Sequence, residues 1–281
     1  DTGGSSGPHL HFEIRNTATE KVVNPMLLGI QIPDSKLPII RSLQAYPLRS
    51  DARINQQHNN HEISLKKIED GKYVADRISA SGTIGFGIDV FDRLDNAWNK
   101  NGIYSLEVLV NGKRQYYHEV ATFSFAESKY LNLLIDYEYY KKYKRRVQKT
   151  FKVAKNKLSI YEGLINNGEI QIQNGFNYTI EIIAKDFAGN TSSVLIPVAG
   201  KESNAIFKKQ KDTTAYKIIA TNFQKFTKEN ITIAFPKNTF YDDIYLDFNV
   251  DDGVAKIHTP TVPLNKSYTL TFNVANYSAE E

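Results

Sequence analysis

The sequence has no cysteine, one methionine, one tryptophan and nine prolines among 281 residues. Without cysteine there is no disulfide framework and no thiolate metal site, so stability must come from buried cores. Long apolar runs are also missing: the longest, around Met26–Ile30, is far short of the ~20 residues that span a bilayer. No signal-peptide pattern opens the sequence. Charge of one sign is not in excess either. A net charge of +4, with no aromatic-plus-basic RNA motif, argues against a nucleic-acid partner. An apolar fraction of 41% suffices for the cores of two ordinary domains, which excludes a disordered chain.

What is abundant is aromatic: 17 Tyr and 15 Phe, residues that suit pleated, half-buried surfaces and favour an all-β architecture. From Ile39 onward the chain breaks into short alternating runs, predicting strands at Ser42–Tyr46, Glu62–Lys66, Lys72–Ile78, Thr83–Val90, Ile103–Val110 and Gln115–Phe123. Asn111-Gly112 predicts a type I′ hairpin turn between the last two. Tyr104, Tyr178 and Tyr268 each open an alternating strand, as does the corner tyrosine of immunoglobulin-like sandwiches. Asp186-Phe187-Ala188-Gly189-Asn190 predicts the turn joining strands Tyr178–Lys185 and Ser193–Val198, much like the terminal hairpin of bacterial immunoglobulin-like modules.

One stretch departs from this pattern. Tyr130, Leu133, Leu134, Tyr137, Tyr140, Tyr143, Val147 and Phe151 recur at three- and four-residue spacing, which predicts a helical insertion over 128–151. Its C-terminal half carries Lys141, Lys142, Lys144, Arg145 and Arg146. These cations suit a solvated helix end or a contact with an anionic wall or membrane surface. The last part of the chain predicts strands near Ala215–Ala220, Ile231–Phe235, Ile244–Val250, Val254–His258 and Tyr268–Val274, a second, smaller sandwich.

The N-terminal residues carry the chemistry. Residues 2–15 read Thr-Gly-Gly-Ser-Ser-Gly-Pro-His-Leu-His-Phe-Glu-Ile-Arg. His9, His11, Glu13 and Arg15 alternate with Leu10, Phe12 and Ile14, so a strand here places both imidazoles on one face and the apolar trio against a core. Two imidazoles held at fixed separation suit a metal site or an exposed strand face. The run, followed by Val23-Asn24-Pro25, resembles the last motif of the lysostaphin-type (LytM-like) zinc metallopeptidases, endopeptidases of peptidoglycan.

That resemblance implies a zinc cofactor with His11 as a ligand, and His9 as the second histidine, acting as base or as stabiliser of the tetrahedral intermediate. It also implies peptidoglycan stem peptides as substrate, approached by the loop of Gly3, Gly4, Ser5 and Ser6, and a periplasmic or extracellular location. The family's other zinc ligands, a His and an Asp spaced His-x-x-x-Asp, are expected upstream of Asp1; no such spacing follows His58, His61, His118 or His258. The organisation this implies is a C-terminal piece of a peptidase sheet with its linker over 1–33, an immunoglobulin-like sandwich over 34–200 and a second sandwich over 201–281. The alternative is a non-catalytic envelope protein carrying a degenerate peptidase remnant, which binds or regulates.

Other clusters are weaker. His58 and His61 fall in an Asn-rich loop; Asp89, Asp92 and Asp95 lack the spacing of an EF-hand; Asp242, Asp243, Asp247, Asp251 and Asp252 straddle a strand and its turn. No nucleophile elbow, Walker loop or dinucleotide fingerprint is present.

Overall fold

The computed structural model describes residues 10–202 and 213–273. The fold is all-β, with sandwich-like sheets and little helix. Its longest strand, Ile78–Phe91, organises the larger unit. Alternation puts Ile84, Phe86, Ile88 and Val90 into the main hydrophobic core. The intervening Gly85 and Gly87 leave room on the opposite face for Phe151, Val147 and the Tyr46 ring, so both faces of the strand are covered.

This strand also changes sheets. Its first residues run parallel to strand Thr191–Gly200, whereas residues 84–91 pair antiparallel with strand Ile39–Pro47. The change of direction falls at Gly82, whose φ of +71° favours glycine. Strands Ser105–Val110, Asn177–Lys185 and Thr191–Gly200 complete an antiparallel run beside it. Ile180, Ile182, Val194 and Ile196 there face the same core. The hairpin between strands Ser105–Val110 and Lys113–Glu119 turns on Asn111 and Gly112, both at positive φ, as their sequence demands.

A separate core of Ile218, Ile231, Ile233, Phe235, Phe240, Leu246, Phe248 and Val250 holds the C-terminal unit. Strand Ile231–Phe235 lies between strands Gln224–Lys228 and Thr269–Phe272. The two units touch where Lys155 Nζ donates to the Tyr241 carbonyl and the Tyr241 hydroxyl donates to the Lys129 carbonyl.

The expected helix over 128–151 is corrected. The chain instead makes a 3-10 turn at Phe125–Tyr130, one α-turn at Leu131–Leu134, a short helix at Tyr137–Tyr143 and a strand at Val147–Lys149. Ile135 is extended, and Asp136 caps the short helix by accepting from the Tyr139 backbone N–H while its other oxygen accepts from the Tyr46 hydroxyl. Lys144 ends the helix in the left-handed region at φ 57°. Val147–Lys149 then joins the edge of the long strand. The apolar spacing is real, but its residues are divided among four short elements rather than one helical face.

The N-terminal segment is tied to the sandwich. Strand Val22–Val23 sits between strands Ile14–Arg15 and Thr122–Phe123, and the Asn24 backbone N–H donates to the Ala121 carbonyl. The chain just after the expected linker is pinned too: Ser35 donates through its backbone N–H and hydroxyl to Asp95, and Lys36 Nζ donates to the Leu94 carbonyl.

Candidate functional site

His9, Gly3, Gly4, Ser5 and Ser6 lie outside the described residues. His11 is exposed, with Nε2 3.2 Å from Glu13 Oε2, and Arg15 holds the Glu13 carboxyl below the usual carboxylate range through a hydrogen bond. The expectation that Leu10 and Phe12 face a core is corrected: they are 94% and 65% exposed. Strand pairing begins only at Ile14, and no described layer lies against these side chains, so they have nothing to bury against. Among the described residues, His11 is not part of a complete zinc ligand set. A catalytic zinc needs three protein ligands, and the one described group of three metal-ligating side chains does not include this histidine.

The basic run is divided between structure and surface. Arg145 is a structural residue: Nε donates to Asp89 Oδ2 at 2.7 Å and an Nη donates to the Ser42 hydroxyl. Arg41 takes the other Asp89 oxygen at 2.7 Å, so two guanidiniums neutralise a buried carboxylate. Lys142 pairs with Glu138 one turn away. Lys141 and Lys144 lie over the Tyr137 and Tyr140 rings, and Arg146 also lies over Tyr140. Lys149 is half-buried, which lowers its pKa.

The rival clusters are separated. His58 Nδ1 meets the Ala52 carbonyl and Arg53, whereas His61 Nδ1 meets the Asn59 carbonyl. Asp89 is taken by its arginines and Asp95 by Ser35. Asp92 joins partners that spacing does not reveal.

Those partners are Asp34 and Asp186, and one ligand atom from each of the three carboxylates lies within 4.8 Å of the others. The trio lines a cleft of about 1010 Å³ between the N-terminal segment and the sandwich, walled by Val23, Met26, Ile30, Ile32, Tyr104 and Phe187. Each aspartate comes from a different kind of element. Asp92 directly follows the long strand, and its backbone exchanges hydrogen bonds with Asn101. Asp186 starts the hairpin turn: one oxygen accepts from the Gly189 and Asn190 backbone N–H groups and the other from the Asn190 amide. That same amide donates to the Asp34 carbonyl, which fixes the incoming segment.

Electrostatically the cluster is strained. Burial pushes the Asp92 carboxyl up to about 6, with the charges of Asp34 and Asp186 adding to the effect. Burial also raises Asp34, again reinforced by Asp186. Asp92 is 3% exposed, and its Oδ1 meets no hydrogen-bond donor among the described residues. Sequence reasoning missed the site because it read Asp92 with its sequence neighbours and Asp186 as a turn residue alone. The one available signal was the Asp-x-x-Gly-Asn turn.

Among the described residues, no helix is long and apolar enough to cross a membrane. No curated protein and no solved structure matches the chain. Residues 215–281, which contain the core of the C-terminal unit, match the family model of the Zu5-like domain.

Proposed function

We propose that this chain is the C-terminal part of an exported zinc metalloendopeptidase that hydrolyses amide bonds in peptidoglycan cross-links. The observation that carries the reading is the Thr2–Arg15 run with its two histidines, its glycine-rich approach and the following Asn24-Pro25. In this reading His11 ligates the metal and His9 is the base or oxyanion stabiliser. The remaining ligands, a His and an Asp, belong to sequence upstream of Asp1. The loop of Gly3, Gly4, Ser5 and Ser6 admits the stem peptide, and the β-sandwiches, of immunoglobulin-like type, are accessory. The exposed Leu10 and Phe12 agree with a strand whose covering sheet belongs to the rest of a peptidase domain. The cations at Lys141, Lys144 and Arg146 suit an anionic envelope polymer.

The test has two arms. Titrated with zinc, the 281-residue chain is expected to show no sub-micromolar site, since His11 without the upstream ligands cannot complete the shell. In the complete parent, His11→Ala loses metal and activity, while His9→Ala keeps the metal and loses activity by ~10²–10⁴, the scale of general acid–base assistance. Full activity of the parent after His11→Ala, or an upstream sequence without His-x-x-x-Asp, overturns the enzyme reading in favour of a binding module.

A further inference from the structure

We propose that Asp34, Asp92 and Asp186 form a calcium site that clamps the N-terminal segment onto the sandwich. The three carboxylates are not explained as a hydrogen-bonded network. Asp186 is satisfied by its own turn, and Asp34 accepts from the Lys36 backbone N–H, but the buried Asp92 leaves an oxygen without a donor among the described residues. A buried carboxylate oxygen left without a donor is costly, and this carboxylate also has an oxygen within 4.8 Å of oxygens of two further acids. The nearest lysine does not resolve this: Lys36 directs its ammonium to the Leu94 carbonyl instead.

The donor set selects the ion. It offers carboxylates, with no imidazole or thiolate in the group, which suits a hard cation. The ligand atoms all lie within 4.8 Å of one another, close enough to share one cation, and calcium accepts an irregular carboxylate shell whereas magnesium demands near-ideal octahedral geometry and gives up its water reluctantly. The cleft leaves the outer side of the site open for water ligands. Three acids that repel one another in the empty site become mutual ligands once a divalent charge sits between them.

The placement gives the ion a mechanical consequence. Asp34 belongs to the segment that leads from the N-terminal strands, Asp92 to the end of the long strand's run just past Phe91, and Asp186 to the hairpin turn after strand Asn177–Lys185. An ion shared by all three fixes the orientation of the N-terminal segment relative to the sandwich. This inference does not depend on the peptidase reading, and its test needs no enzymatic activity.

The experiment is thermal unfolding and calorimetric titration of the whole chain after EDTA treatment, with calcium chloride against magnesium chloride at equal ionic strength. Calcium is expected to bind with one-to-one stoichiometry and to raise the melting temperature by several degrees, with magnesium doing markedly less. Asp92→Asn is nearly isosteric and removes one of three repelling charges. The metal-free variant is therefore expected to melt at or above the wild type and to lose the calcium shift. Should Asp92→Asn fail to fold, Asp34→Asn in the outer segment gives the same reading. Calcium is also expected to slow tryptic cleavage after the exposed Lys36 in the wild type but not in the variant. A wild-type chain that neither binds calcium nor shifts its melting point overturns the proposal, as does an equal response to magnesium or an undiminished shift in the folded variant.

Discussion

The Tyr116 hydroxyl lies 2.8 Å from His118 Nδ1, with both side chains fully buried beside Tyr161. The same hydroxyl is within donating distance of the Lys149 carbonyl, at 3.2 Å. With that bond made, the network assigns the imidazole proton to Nδ1, donating to the tyrosine oxygen, and leaves Nε2 bare. Burial lowers the His118 pKa from 6.5 to about 4. In this folded environment the ring is neutral at physiological pH.

The sign of the pH effect follows. Below pH 6.5 the unfolded chain takes up a proton that the folded chain refuses until about 4, so stability is full above 6.5 and falls as pH drops through that window. The gap corresponds to about 3 kcal/mol. Urea unfolding at pH 7.5 and pH 4.5 is expected to show that loss in the wild type, and His118→Gln to lose less by a comparable amount. Carboxylates titrate in the same range, so the difference between the two proteins is the readout. An identical pH dependence would remove His118 from the account.

Gly82 is where the longest strand passes from one sheet to the other. Its φ is +71°, and a Cβ placed there would lie 2.9 Å from Ala52 Cα, a backbone atom that cannot swing aside. Gly82→Ala is expected to destabilise by about 2 kcal/mol or more, combining left-handed strain with the clash. Equilibrium denaturation measures it. A variant as stable as the wild type would show that the strand can cross between sheets without this turn.

The legibility of this fold follows how local its causes are. Asn111-Gly112 and Asp252-Gly253 carry their own turn chemistry, and strands pair across both. Ile231–Phe235 is found with the boundaries its alternation implies. The tyrosines divide: the Tyr178 hydroxyl accepts from the Gln173 backbone N–H as a corner tyrosine does, whereas Tyr104 packs edge-on against Phe187 and Tyr268 packs near Phe235. The 128–151 segment misleads because its breaks are made by distant partners. Tyr46 claims Asp136, and the long strand claims Val147–Lys149. The aspartate trio was hidden for the same reason, since Asp34, Asp92 and Asp186 meet only when three separate segments are folded together. Asp186 and Asn190 showed as a turn, but nothing local revealed which carboxylates that turn would face.

Arg145 separates a structural role from a surface one. Arg145→Gln removes a charge-assisted hydrogen bond to the buried Asp89 and one to Ser42, while Arg41 remains to hold the carboxylate. The expected cost is about 1.5–3 kcal/mol, the range for hydrogen bonds to charged groups. Denaturant midpoints check it. A neutral substitution would mean that Arg41 alone neutralises Asp89.

Attachment to an anionic envelope polymer should therefore be tested on the cations that do not hold the fold. Lys141, Lys144 and Arg146 lie on tyrosine rings at the surface rather than in buried ion pairs. Weak contacts multiply along a repeating polymer, and stem peptides carry carboxylates, so modest single-site attraction is enough to localise the protein. Exposed charges are screened beyond ~8 Å at physiological ionic strength, so such binding must weaken with salt. Co-sedimentation of the chain with purified sacculi is expected to fall sharply from low to high salt. Replacing Lys141, Lys144 and Arg146 by Gln is expected to weaken it at low salt while shifting the denaturation midpoint only as far as the exposed ring contacts contribute. Unchanged sedimentation of the triple variant would return these side chains to the role of solvated charges at a helix end.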